Sequence, residues 1–99
     1  MRQRQPREKN AKHLALVRLL PCLVCGRGPS EAAHVRYGDH LRGKPPTGIG
    51  QKPDDRWCVP LCFRCHRYQH TRGERIFWEA QGIDPIAVAI ELHGRLAWT

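Results

Sequence analysis

The stretch Leu61-Cys62-Phe63-Arg64-Cys65-His66-Arg67-Tyr68-Gln69-His70 decides the fold. Two cysteines with two residues between them can grip one metal ion from adjacent positions, and a matching pair, Cys22-Leu23-Val24-Cys25, stands upstream. Together the pairs offer four soft sulfur donors, the number that closes a tetrahedral zinc site. The spacing therefore predicts one structural Zn2+ held by Cys22, Cys25, Cys62 and Cys65, with Gly26 letting backbone amides turn toward the sulfurs. Cys58 is out of register with both pairs in an apolar run and reads as a packed core thiol.

His66 follows the last of these cysteines directly. On a helix, residues four apart share a face, so His66 and His70 can hold a second ion between two imidazoles. A further histidine, His34, lies in a short strand expected over residues 32–36, and a zinc joining the cysteine pairs would bring that strand beside the His66 helix.

Further elements follow outward from this centre. Leu14, Ala15, Val17 and Leu20 recur at helical spacing over residues 10–20, with Asn10 as cap and Pro21 closing the segment. Residues 37–55 hold glycines, prolines and cations without periodicity and are expected to be loop. Trp57-Cys58-Val59-Pro60-Leu61 reads as a second strand, restricted by Pro60 to an edge or terminal position. Residues 62–70 should turn into a helix, residues 73–81 form another ended by Gly82, and Asp84-Pro85 cap a last one. The class is α+β in a single domain over residues 10–99, with a core at 22–70 and C-terminal helices within 73–98. Residues 1–9, carrying Arg2, Arg4, Arg7 and Lys9, are expected to be a flexible basic arm.

Seventeen Lys and Arg against nine Asp and Glu give a formal charge of +8, the footprint of a polyanion binder. No apolar run approaches the ~18 to 20 residues of a spanning helix. The N-terminus lacks the apolar region of a secretory signal. Paired cysteines in a reducing compartment suit metal better than disulfides, so a cytoplasmic location without a membrane partner is expected.

A cysteine knuckle, a strand histidine, a long basic loop, a second strand and Leu-Cys-x2-Cys-His occur in one order. In this the chain resembles the HNH (ββα-metal, His-Me finger) endonucleases over residues 22–70. The pieces Ala33-His34-Val35-Arg36, Pro53-Asp54-Asp55-Arg56-Trp57 and Phe77-Trp78-Glu79-Ala80 are similar to small nucleases of phages and prophages. The resemblance implies a zinc-stapled, treble-clef-like ββα-metal core with flanking helices at both ends. It also implies divalent-metal-dependent hydrolysis of DNA phosphodiester bonds. His34 would be the general base, and His66 and His70 would hold Mg2+ or Mn2+. Arg36, Arg42, Lys44, Lys52, Arg64 and Arg67 are the candidates for phosphate contacts, and no small-molecule cofactor is expected. Two positions depart from the family pattern. Ala33 stands where an acidic or histidine metal ligand is usual, leaving Asp39, His40, Asp54 or Asp55 as replacements, and Trp57 stands at the middle Asn position. The competing readings are a non-catalytic zinc module that binds nucleic acid and a zinc-stapled protein-interaction domain.

Overall fold

The computed structural model describes residues 7–47 and 52–98. Most of the expected basic arm, residues 1–6, and the tip of the central loop, residues 48–51, lie outside the described residues. The element order is α1 (Ala11–Arg18), β1 (Ser30–His34), a 3-10 turn (His40–Arg42), β2 (Cys58–Cys62), α2 (Phe63–Arg72), α3 (Glu74–Gln81) and α4 (Pro85–Leu96). This is a small α+β architecture around a two-stranded antiparallel sheet.

The strands pair from Ser30 opposite Cys62 to His34 opposite Cys58. They were expected at 32–36 and 57–61, so each is displaced by one or two residues. Pairing does continue one step further, since Val35 donates its amide to the Trp57 carbonyl at 2.8 Å. Pro60 sits mid-strand opposite Ala32. A two-stranded sheet has only edge strands, so a residue without an N–H is tolerated there, and the Pro60 carbonyl accepts the Leu23 amide at 3.0 Å. That bond docks the first cysteine loop onto β2.

Alternation along β1 puts Ala33 and Val35 on one face and Ser30, Ala32 and His34 on the other. The first face, with Trp57, Val59 and Leu61 of the partner segment, packs on Phe77 and Trp78 of α3 and on Ile86 and Ala89 of α4. Truncating Trp78 to alanine would cost about 3 to 5 kcal/mol by the usual measure for a buried aromatic. Gly82 ends α3 in the left-handed region at φ 68°, and Asp84 caps α4 by accepting the Ile86 and Ala87 amides. Both features were legible in the sequence.

Two segments are more ordered than the sequence suggests. Within the expected loop, Asp39 and Lys44 pair across the 3-10 turn, and Gly43 closes it at φ 76°. Arg42 then forks onto Asp84 at 2.7 and 3.2 Å while also bonding Asp39, which ties the loop to the α4 cap. In the expected arm, Asp54 accepts the Glu8 amide at 2.8 Å and Glu8 pairs with Arg56 at 2.9 Å. Arg7 and Glu8 are thus held by the acidic turn before β2.

On α1, His13 is buried, its ring edge against His93 of α4 with centroids 5.3 Å apart, and its Nε2 has no hydrogen-bond partner. Burial first, and then His93, holds His13 below the ordinary 6.5, with Asp55 opposing. A histidine whose folded pKa lies below its unfolded value contributes stability that is complete above the unfolded pKa and is lost as pH falls through that window. His13→Leu should therefore show a flatter decline in Tm than wild type from about pH 7 to about pH 5. Thermal melts at matched ionic strength giving parallel curves would count against this assignment.

Candidate functional site

The four paired cysteines converge as their spacing predicts. Their sulfurs all lie within 4.8 Å of one another, and Cys25 Sγ is 3.6 Å from Cys62 Sγ. In a tetrahedral site with metal–sulfur bonds of about 2.3 Å, sulfurs stand about 3.8 Å apart. The set is therefore positioned to hold a metal ion, and its all-sulfur chemistry suits zinc.

Local structure explains the convergence. Gly26, at φ 73°, donates its amide to the Cys22 carbonyl at 2.9 Å, closing the first loop. Cys62 ends β2, and as N-cap of α2 its sulfur accepts the Cys65 amide at 3.5 Å. Charge makes the need for a cation plain. Burial alone would raise the Cys22 thiol, but backbone hydrogen bonds from Cys25, Cys62 and Val24 bring it down to about 6. Burial and the neighbouring Cys62 and Cys22 sulfurs push Cys65 far up. Four thiolates this close repel one another, so holding all of them ionised requires a positive ion among them. Cys58 is separate and wholly buried, its thiol donating to the Asp55 carbonyl at 3.1 Å and pushed up to about 12 by burial.

The predicted histidines fall into two groups. His66 and His70 stand side by side on α2 with ring centroids 4.9 Å apart. His66 Nδ1 is 2.7 Å from Glu31 Oε1, and Glu31 shares a strand face with Ala33. Glu31 was not among the candidates, although its position two residues before Ala33 marks that shared face. The four replacement ligands do not gather at His66. Asp39 is bonded to Arg42, Asp54 to the Glu8 amide, and His40 lies in the 3-10 turn. Asp55 instead meets His34, with Nε2 3.0 Å from Oδ1.

Asp55 is only 2% exposed and also meets the Arg7 guanidinium and the Asn10 amide, the latter at 2.7 Å. Burial would raise its carboxyl, but the Asn10 amide, His34 and Arg7 together hold it below the ordinary carboxylate value. His34 and Glu31 lie at odd separation along β1, so the His34–Asp55 and His66–Glu31 pairs emerge on opposite faces of the sheet. Among the described residues, the cysteine set is the only group of three or more ligand side chains close enough to hold one ion.

The predicted cations are placed unevenly. Lys52, Arg64 and Arg67 are exposed. Arg36 donates its amide to Glu74 Oε1 at 2.7 Å, and burial holds that carboxyl above the ordinary range against the pull of the amide. Arg42 is engaged by two aspartates. Lys44 is 1% exposed, with its ammonium 5.8 Å from the centre of the Trp57 ring, so as folded it presents no surface charge. Trp57 occupies the core. No helix among the described residues is long and apolar enough to cross a membrane.

Among known families, the one described as "Protein of unknown function (DUF968)" matches residues 1–93. The chain belongs to the DUF968 family. No curated protein and no solved structure matches it. The DUF968 match spans every element that builds the two sites, from the Asn10 cap to His93.

Purified protein should carry one tightly held metal ion per chain, because a structural zinc contributes on the order of 10 kcal/mol to folding in small domains. Cys62→Ser should lose the ion and unfold, while Cys58→Ser should keep it. Elemental analysis finding cleanly folded wild type without metal would refute the assignment.

Proposed function

We propose that the chain is a divalent-metal-dependent DNA endonuclease of the HNH, ββα-metal kind, its sulfur site filled by a structural Zn2+. The single observation that carries this reading is the His34–Asp55 pair. A strand imidazole backed by a buried, ionised carboxylate is a general base with its orienting group already in place. The charge of +8 and the resemblance of the Cys-His segments to HNH enzymes support the same reading.

Asp55 accepts the Nε2–H of His34, which fixes the tautomer and leaves the Nδ1 lone pair available. Nδ1 takes the proton of a water attacking the phosphorus, and the bond to the 3′ oxygen breaks, leaving 5′-phosphate and 3′-hydroxyl ends. The 3′ oxygen regains its proton from solvent. Glu31 accepts the Nδ1–H of His66, orienting that ring in the way metal-binding histidines are commonly held. A divalent ion held by His66 and His70 would supply charge neutralisation at the phosphate and leaving oxygen. Since the two histidine groups project from opposite faces, the reading requires the scissile phosphate to lie across the edge of β1, within reach of both.

The non-catalytic alternative, a zinc module that binds nucleic acid, draws on one observation: no third protein ligand joins His66 and His70 among the described residues. Plasmid cleavage in Mg2+ or Mn2+ separates the two. His34→Ala should lower the cleavage rate by about 10² to 10⁴ while zinc content and DNA affinity stay near wild type and Tm falls modestly with the lost Asp55 hydrogen bond. His66→Ala and His70→Ala should also lose activity, with partial rescue at raised metal concentration that His34→Ala does not share. DNA binding with no divalent-dependent cleavage by wild type would favour the module instead.

Asp55→Asn gives a further check. Because the folded pKa of Asp55 lies below its unfolded value, its contribution to stability is complete above the unfolded pKa of about 3.9 and is lost as pH falls below it. The variant should cut DNA more slowly than wild type and lose less stability on acidification. Wild-type rates together with an unchanged acid limb would show that the carboxylate neither orients His34 nor stabilises the fold.

A further inference from the structure

α2, α3 and the first cysteine loop line a groove of about 830 Å³ that has Cys25, Cys62 and Cys65 in its wall, within the size range of clefts that take organic ligands. Phe63 and Tyr68 line it, yet they remain 57% and 51% exposed. Helix packing therefore accounts for only part of either ring. Tyr68 rests edge-on against Phe77 at 6.1 Å. Arg67 and Arg72 stand over the Phe63 and Tyr68 rings at 5.3 and 5.9 Å. Arg27 and Arg64 are part of the lining, which contains no Asp or Glu.

We infer that this groove binds single-stranded DNA, with bases stacked on Phe63 and Tyr68 and phosphates held by Arg27, Arg64, Arg67 and Arg72. The inference rests on the nucleic-acid reading above for its choice of polymer. Duplex DNA keeps its base faces inside the stack, so exposed aromatic faces recessed in a groove serve unstacked bases, which every strand offers whatever its sequence. An apolar peptide would fit the rings but bring no counter-charge for Arg67 and Arg72. A zinc bound by four thiolates carries a formal charge of about −2, which Arg27 and Arg64 offset. Arg67 and Arg72, each standing over one of the two rings, then leave that side of the groove positive. Stacking and charge together commit the groove to a flexible polyanion with planar bases.

The test is fluorescence anisotropy with labelled dT12 and a labelled 12-base-pair duplex, in buffer with no added divalent ion. Under these conditions binding is read apart from cleavage. The double variant Phe63→Ala/Tyr68→Ala should weaken dT12 binding about tenfold or more and change duplex binding less than twofold, with zinc content unchanged. Arg64→Glu should weaken dT12 binding as well. If the double variant loses zinc or its melting transition, Tyr68→Phe and Tyr68→Leu take its place, the first keeping dT12 affinity and the second losing it. Equal dT12 affinity in those two, or a parallel loss of dT12 and duplex in the double variant, overturns the inference. So does unaltered dT12 binding accompanied by loss of a self-association seen in wild type, which would assign the groove to a second copy of the chain. Failure of wild type to cut plasmid would remove the nuclease reading and leave a selective dT12 result standing.

Discussion

The fold depends on four sulfurs brought to one point. A two-stranded sheet is marginal by itself, and 99 residues bury little surface relative to their length. The cluster joins the loop carrying Cys22 and Cys25 to the corner where β2 becomes α2. Cys62 belongs to three structures at once, as strand end, helix cap and member of the sulfur cluster. Fixing it sets the direction in which α2 leaves the sheet, and so where His66 and His70 stand. The same cluster that stabilises the chain therefore aims its histidines.

Asp55 is the second organising point. Its carboxylate gathers the Arg7 guanidinium, the Asn10 amide and the His34 ring, while its carbonyl receives the Cys58 thiol. A buried charge is costly unless it is paired and hydrogen-bonded, and these partners come from three separate segments of the chain. The N-terminal segment, β1 and the start of β2 are locked together as a consequence. A base of the proposed kind needs a neighbour that fixes its ring, and here that neighbour is also a structural centre. Function and stability would be coupled at this residue.

The surface divides along similar lines. Arg42, Lys44 and Arg56 hold the structure together through Asp39 and Asp84, Trp57, and Glu8 respectively. Arg64 and Arg67 stay exposed on α2. The net charge thus overstates how many cations face a partner, and it concentrates attention on the helix that also carries the paired histidines and the open aromatic rings.

Short-range order is what the sequence itself determined. The helices, their Asn10, Asp84 and Gly82 boundaries, the two strands and the meeting of the four paired cysteines could all be read, because caps, turns and Cys-x2-Cys bites are local and each needs only a few neighbouring residues. The side-by-side placement of His66 and His70 was legible for the same reason, being fixed by helical spacing. Tertiary structure alone decided the partners of the histidines. That Asp55 backs His34, that Glu31 backs His66, and that Lys44 is buried under Trp57 all follow from strand register and loop closure between distant segments. A one-residue change in register would exchange the two faces of β1 and with them the contacts of His34 and Glu31. Composition counts a charge wherever it lies, but only packing determines whether that charge meets solvent, a carboxylate or an aromatic ring.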